Sequence, residues 1–252
     1  MKNVVVNISC ADEGLRELSL FSGAGGGILG GKLIGWRTVC AVEIEPYPAS
    51  VLCQRQNDGI LPTFPIWDDI QTFDGNPWRG IVDVVSGGFP CQDISTAGKG
   101  AGIEGEHSGL WREMRRIVRE VRPKYVFVEN SPMLLVRGLK RVLGDLAEMG
   151  YTCAWGTLSG RHVGAPIKRE RLFIACANKE YGKKGLGPIE SESEVLGKIG
   201  NECLSFWLQA PSVNFGMEHG MDNYMEQVSA IGNGQIPAVA ALAWNTLIKR
   251  ID

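Results

Sequence analysis

Short apolar segments alternate with amphipathic stretches from Leu18 to Ala175, and most of them end in glycine or an acid. That alternation constrains the fold more than any other feature, because repeated strand–helix units bury their apolar faces as α/β layers. Leu18 to Phe21 reads as a buried strand running into Ser22-Gly23-Ala24-Gly25-Gly26-Gly27, followed by a helical stretch from Ile28 to Ile34. Thr38 to Glu43 is a second strand, after which Pro46 opens a helix at its first turn. Phe64 to Trp67 leads to Asp68-Asp69, and Ile81 to Val85 is a fourth strand. A helix over Ser108 to Val121 places Leu110, Met114, Ile117, Val118 and Val121 on one face. Its other face carries Arg112, Arg115, Arg116, Arg119 and Arg122 and is read as solvated. Tyr125 to Val128 ends at Glu129-Asn130, and a helix from Leu139 to Met149 stops at Gly150. Tyr151 to Leu158 and Arg171 to Ala175 form a closing pair of strands. The predicted architecture is α/β, a parallel doubly wound sheet. From Lys179 to about Gln227 the chain is polar and irregular, and an apolar helix from Pro237 to Ile248 returns to the core.

The net charge of −2 gives no global attraction to nucleic acid, so local basic clusters matter more than the sum. Seven cysteines form no CxxC pair, and their odd number predicts no disulfide framework and a reducing cytoplasm. With three histidines, no metal site is expected. No apolar run approaches the roughly 20 residues that span a bilayer, and Val4-Val5-Val6 is too short for a signal peptide.

Reactive groups of α/β proteins sit beyond the carboxyl ends of strands. There the chain places Ser86-Gly87-Gly88-Phe89-Pro90-Cys91-Gln92-Asp93, a thiol behind a rigid proline and ahead of a glycine-rich stretch from Gln92 to His107. The glycines after the first strand allow close approach of a ligand. Glu43 can accept both hydroxyls of a ribose, and Asp69 can accept from an adenine amino group. Neither G-x-G-x-x-G spacing nor a P-loop Gly-Lys-Ser/Thr is present, so S-adenosylmethionine fits better than a dinucleotide or a nucleoside triphosphate.

Seven pieces in order resemble the cytosine-C5 DNA methyltransferases: Phe21-Ser22-Gly23-Ala24-Gly25-Gly26, Glu43, Asp69-Ile70, Gly88-Phe89-Pro90-Cys91-Gln92, Glu129-Asn130, Lys168-Arg169-Glu170-Arg171 and Gly232-Asn233. The resemblance implies a Rossmann-like methyltransferase sheet over residues 16–177, completed by 228–252. An N-terminal extension, 1–15, would precede it, and a short target-recognition region, 178–227, would interrupt it. It implies S-adenosylmethionine as cofactor, double-stranded DNA as substrate and a prokaryotic or phage origin. Cys91 would be the nucleophile, Glu129 its partner, and Arg169 and Arg171 the charges that activate the thiol and hold a flipped base. Phe21, Ser22, Gly23, Gly25, Gly26, Glu43, Ile44, Asp69, Ile70, Pro90, Leu110 and Asn233 would line the cofactor site. Gln92, Ser95, Lys99 and Arg171 would face DNA.

The residue types suit that chemistry. Cytosine C5 becomes nucleophilic only after a thiolate adds to C6, and a carboxyl group at N3 supplies the proton this addition needs. Two positions depart from the family: Ile167 replaces a glutamine, and Gly234-Gln235 replaces a small polar and an aliphatic residue. The short variable region predicts a short or relaxed recognition sequence, or help from a helper protein or restriction endonuclease partner. Two other functions stay open on these residues, the same chemistry on tRNA and a non-catalytic binding module.

Overall fold

The computed structural model describes residues 14–90, 109–181 and 234–251. In these residues seven strands form one sheet: β1 (Arg16–Leu20), β2 (Arg37–Val42), β3 (Ile66–Trp67), β4 (Val84–Gly87), β5 (Tyr125–Asn130), β6 (Tyr151–Ser159) and β7 (Glu170–Asn178). Their order is β3-β2-β1-β4-β5-β7-β6. The helices are α1 (Gly26–Leu33), α2 (Pro46–Asn57), α3 (Gly109–Val121), α4 (Leu134–Arg137), α5 (Leu139–Glu148) and α6 (Pro237–Ile248). No helix of the described residues is long and apolar enough to cross a membrane.

Strands β1 to β5 pair in parallel, but β7 runs antiparallel to both β5 and β6. The sheet is therefore mixed, a correction to the all-parallel expectation. The reason is chain length, since residues 160–169 are too few for the crossover that a parallel pair requires. β4 also starts later than its apolar run suggests. Ile81 and Val82 both donate their amides to the Trp78 carbonyl, which curls this stretch before the strand begins.

Side chains alternate between two layers, as a pleated strand demands. Val126, Val128, Leu172 and Ile174 pack under α3 and α5 against Met114, Ile117 and Leu146. Tyr125, Phe127, Phe173 and Ala175 pack on the other side beneath α6. There Trp36 meets Trp244 edge-on, with ring centroids 4.7 Å apart. Helices α1 and α6 approach closely at Gly30, where a Cβ would lie 2.9 Å from both the Ala240 methyl and the Pro237 carbonyl.

Two expectations drawn from residue type need correcting. Cys153 and Cys176 lie opposite each other across β6 and β7 and are joined by a disulfide, where the cysteine count predicted none. The arginine face of α3 is less solvated than its pattern implied. Arg116 is held by Glu113, Glu120 and the carbonyls of Ile70 and Phe73, Arg115 pairs with Asp145 and Glu148, and Arg122 bonds the Met149 carbonyl and Glu180.

Candidate active site

From β1 the chain builds outward to β2 and β3 on one side and to β4 and β5 on the other. That reversal opens a crevice beyond the carboxyl ends of β1 and β4. The turn after β1 is tightly specified. Phe21 (φ 53°), Gly23 (φ 53°) and Gly25 (φ 83°) all adopt left-handed backbone. For a phenylalanine this costs about 1–3 kcal/mol, a strain that the surrounding bonds must hold. The Ser22 amide donates to the Val42 carbonyl, its hydroxyl donates within Ser19, and the Gly25 amide returns to the Ser22 carbonyl. The Cβ direction of Gly23 meets no atom within 4 Å, so the turn presents open space to the crevice.

Glu43 follows β2 and braces this turn. One carboxylate oxygen accepts from the Gly23 amide at 2.6 Å and the other from the Glu45 amide at 2.8 Å. Burial pushes its carboxyl above the ordinary range, and the two amides partly offset that. A carboxylate has about four acceptor positions, so two remain for a ligand hydroxyl pair. Ile44 stands exposed beyond the strand. Asp69, after β3, is half-buried and caps its own turn by accepting from the Gln71 amide at 2.8 Å. Ile70 belongs to the core, and Leu110 on α3 packs against it. An acid braced against a glycine turn, with acceptor capacity in reserve and no phosphate cradle beside it, suits the adenosine end of S-adenosylmethionine.

The turn after β4 sits beside this crevice. Gly87 packs directly on β1, since a Cβ there would meet the Leu20 carbonyl at 2.9 Å. Phe89 is buried against Trp111, with ring centroids 5.4 Å apart. The Asn130 amide donates to the Phe89 carbonyl at 3.1 Å, and its own oxygen accepts from the Ser131 amide. Asn130 thus ties the end of β5 to the segment that delivers Pro90, which is half-buried. Cys91, Gln92, Ser95, Lys99 and Asn233 lie outside the described residues.

Glu129 is the electrostatic centre of the described site. Its side chain is almost wholly buried at the end of β5, and one oxygen meets Arg171 Nε at 2.9 Å. Burial pushes its carboxyl up to about 7, against the opposing pull of Arg171, Arg169 and a hydrogen bond from Gln235. The arginines reach this edge because β7 is antiparallel, so its first residues lie beside the last residues of β5. Arg169 Nε and Nη2 are buried and find no hydrogen-bond partner among the described residues. Two buried donors in that state are suited to an acceptor on a substrate.

Sequence reasoning gave no role to Asn130 and none to Gln235. It also missed Glu17, whose carboxyl is buried in β1 and accepts from Thr38 and Ser86 hydroxyls at 2.6 Å each. A cavity of about 20 Å³ runs between Glu17 and Glu129, past Ser19, Ser22 and Gln235. Its volume is that of about one water. Among the described residues no three His, Cys, Asp or Glu side chains converge as a metal ion would require.

Residues 15–218 match the model of the C-5 cytosine-specific DNA methylases. The chain is 33% identical over 193 residues to the type II methyltransferase M2.BsuMI of Bacillus subtilis (strain 168), covering 73% of this chain and 48% of the relative. It is 34% identical over 168 residues to M.CviJI of Paramecium bursaria Chlorella virus IL3A, covering 66% of this chain and 44% of that protein. It thus spans about half the length of the curated relatives it matches. Among solved structures, Spodoptera frugiperda DNMT2 superposes with a TM-score of 0.54 at 21% identity, covering 67% of this chain and 51% of that one. The S. pombe Dnmt2 methyltransferase gives 0.53 at 22% identity, with 73% and 55% covered. These two likenesses concern the fold.

Proposed function

We propose a function from one premise: the chain belongs to the C-5 cytosine-specific DNA methylase family. Its activity is transfer of a methyl group from S-adenosylmethionine to C5 of a cytosine in double-stranded DNA, through a covalent adduct between Cys91 and C6. One observation carries this reading: a buried carboxyl, Glu129, paired with Arg171, stands at the sheet edge beside the Asn130-bound Phe89-Pro90 turn, which Cys91 follows in sequence.

When bound, S-adenosylmethionine supplies an electrophilic methyl group. The glycine turn, Glu43 and Asp69 would hold its adenosine end. Cys91, as thiolate, adds to C6 of a cytosine swung out of the duplex. Protonated Glu129 donates to N3 as the ring accepts the electron pair, which makes C5 nucleophilic. Arg171 orients that carboxyl, and the unpartnered nitrogens of Arg169 meet an acceptor of the base. Once C5 carries the methyl group and S-adenosylhomocysteine is left as product, a base removes the C5 proton, elimination releases the Cys91 thiolate, and N3 returns its proton to Glu129.

DNA containing 5-fluorocytosine tests the whole scheme, because fluorine at C5 blocks that last proton removal. A denaturation-resistant protein–DNA complex is expected with the wild type and none with Cys91→Ser. Parallel reactions on duplex DNA and tRNA identify the nucleic acid, and adduct or methylation on tRNA alone would displace the DNA assignment. The setting that fits is the cytoplasm of a prokaryote, with the protein encoded by the cell or by a phage, and the partner that fits is a restriction endonuclease or a helper protein. With about 50 residues between Asn178 and Val228 for reading bases, methylation should fall on a short or relaxed sequence. Bisulfite sequencing of plasmid from expressing cells checks this. Methylation confined to one site of about six base pairs or more would contradict it.

Glu43→Ala should weaken S-adenosylmethionine binding about 30-fold or more, corresponding to roughly 2 kcal/mol of charge-assisted hydrogen bonding. Calorimetry on the purified protein measures it. Unchanged affinity would remove Glu43 from the cofactor pocket.

A further inference from the structure

We propose that Gln235 is a positioning residue whose side-chain amide spans the glycine turn after β1 and the Glu129 carboxylate, holding that carboxylate over Gly88 while Arg171 takes its other oxygen. The role of Glu129 rests on the function proposed above; the contacts of Gln235 do not. A Cβ at Gly27 would lie 2.9 Å from Gln235 Oε1, and a Cβ at Gly26 would collide with the Gln235 backbone. A Cβ at Gly88 would lie 2.8 Å from Glu129 Oε2 and 3.5 Å from Gln235 Nε2. Three glycines therefore leave room for one amide and the carboxylate it touches. Gln235 and Glu129 also line the same small cavity, so the amide and the acid meet in one enclosed space.

The placement follows from the chain. Gln235 lies just before α6, and Pro237 starts that helix directly over Gly30 of α1. The α1–α6 contact thus fixes Gln235 at the junction of the cofactor turn and the acid. An aliphatic residue at this position, as the family usually has, fills the space without donating a hydrogen bond.

Among the described residues, the charged and titratable groups facing Glu129 are Arg169 and Arg171 at the start of β7 and, across the small cavity, Glu17 of β1. β4 adds Ser86 and Gly87, and the segment before α6 adds the uncharged Gln235 amide. Donation from Gln235 favours the ionised carboxyl, so its removal raises the proton affinity of Glu129 further.

The test is Gln235→Met, which keeps the volume and removes the donor, beside Gln235→Ala. The carboxyl carbon of Glu129 is followed by NMR in 13C-glutamate-labelled protein without cofactor or DNA, and assigned by its absence in Glu129→Gln. Both variants should titrate about one pH unit above wild type. The alkaline limb of the pH–rate profile for methyl transfer should move by the same amount. If Gln235→Met titrates where wild type does, the proposal is overturned, even if Gln235→Ala loses activity through a packing defect. A displaced titration in a protein that methylates no nucleic acid upholds the positioning role and overturns the proposed function instead.

Discussion

Cys91→Ala should lower methyl transfer by about 10⁴-fold or more while leaving S-adenosylmethionine affinity within about twofold of wild type. The split follows from the proposed division of roles. The proposed cofactor residues lie in the turns after β1, β2 and β3, whereas Cys91 follows β4 in sequence. Without the sulfur, no addition at C6 takes place and C5 stays unreactive toward a methyl donor, however well the donor is held. Neither free thiol among the described residues substitutes. Cys40 is buried in β2, and burial pushes it up to about 11, which leaves almost no thiolate at neutral pH. Cys53 is exposed on α2, on the far side of the glycine turn from β4. Single-turnover methylation of duplex DNA with labelled cofactor, alongside calorimetric cofactor binding, measures both halves. Turnover in Cys91→Ala within tenfold of wild type would show that the reaction does not pass through this sulfur.

Most strands were legible because they are short, continuously buried apolar runs that end near a glycine or an acid. The acids were legible for the same reason. Glu43 and Glu129 interrupt apolar runs at strand ends, where an ionisable group is costly unless a ligand or partner meets it. Strand direction was legible in the short 160–169 connection between β6 and β7, but not in the strand itself. Nothing in Leu172 to Ala175 distinguishes a parallel from an antiparallel strand, since both faces are buried either way. Yet that direction decides the chemistry, because a parallel β7 would have carried Arg169 and Arg171 to the opposite edge of the sheet from Glu129. Gln235 was visible only as a departure from the family pattern. Its contacts are with Gly26, Gly27, Gly88 and Glu129, more than 100 residues away in sequence, and no local periodicity reports such a meeting. Glu17 was hidden in the same way, since its hydroxyl partners come from β2 and from the last turn of the apolar run in β4.

Glu129→Gln should separate stability from activity. With its carboxyl moved from an ordinary value of 4.5 to about 7, Glu129 contributes stability to the folded protein that is complete below pH 4.5 and lost as the pH rises through 7. The loss by pH 8 is on the order of 3 kcal/mol. Glutamine copies the protonated acid: its carbonyl oxygen still accepts from Arg171 Nε, and the Gln235 amide can rotate to match it. The variant should therefore equal wild type in stability at pH 5. By pH 8 it should melt roughly 6–12 °C higher, as about 2–4 °C per kcal/mol implies for a chain of this size. Methyl transfer should fall about 10²- to 10⁴-fold at every pH, since no proton reaches N3. Thermal melts of both proteins from pH 5 to pH 8.5, paired with rates, give the comparison. Melting temperatures that run parallel across that range would mean that the carboxyl ionises at no cost to the fold. The acid would then already be charged at neutral pH, and the proton would have to come from elsewhere.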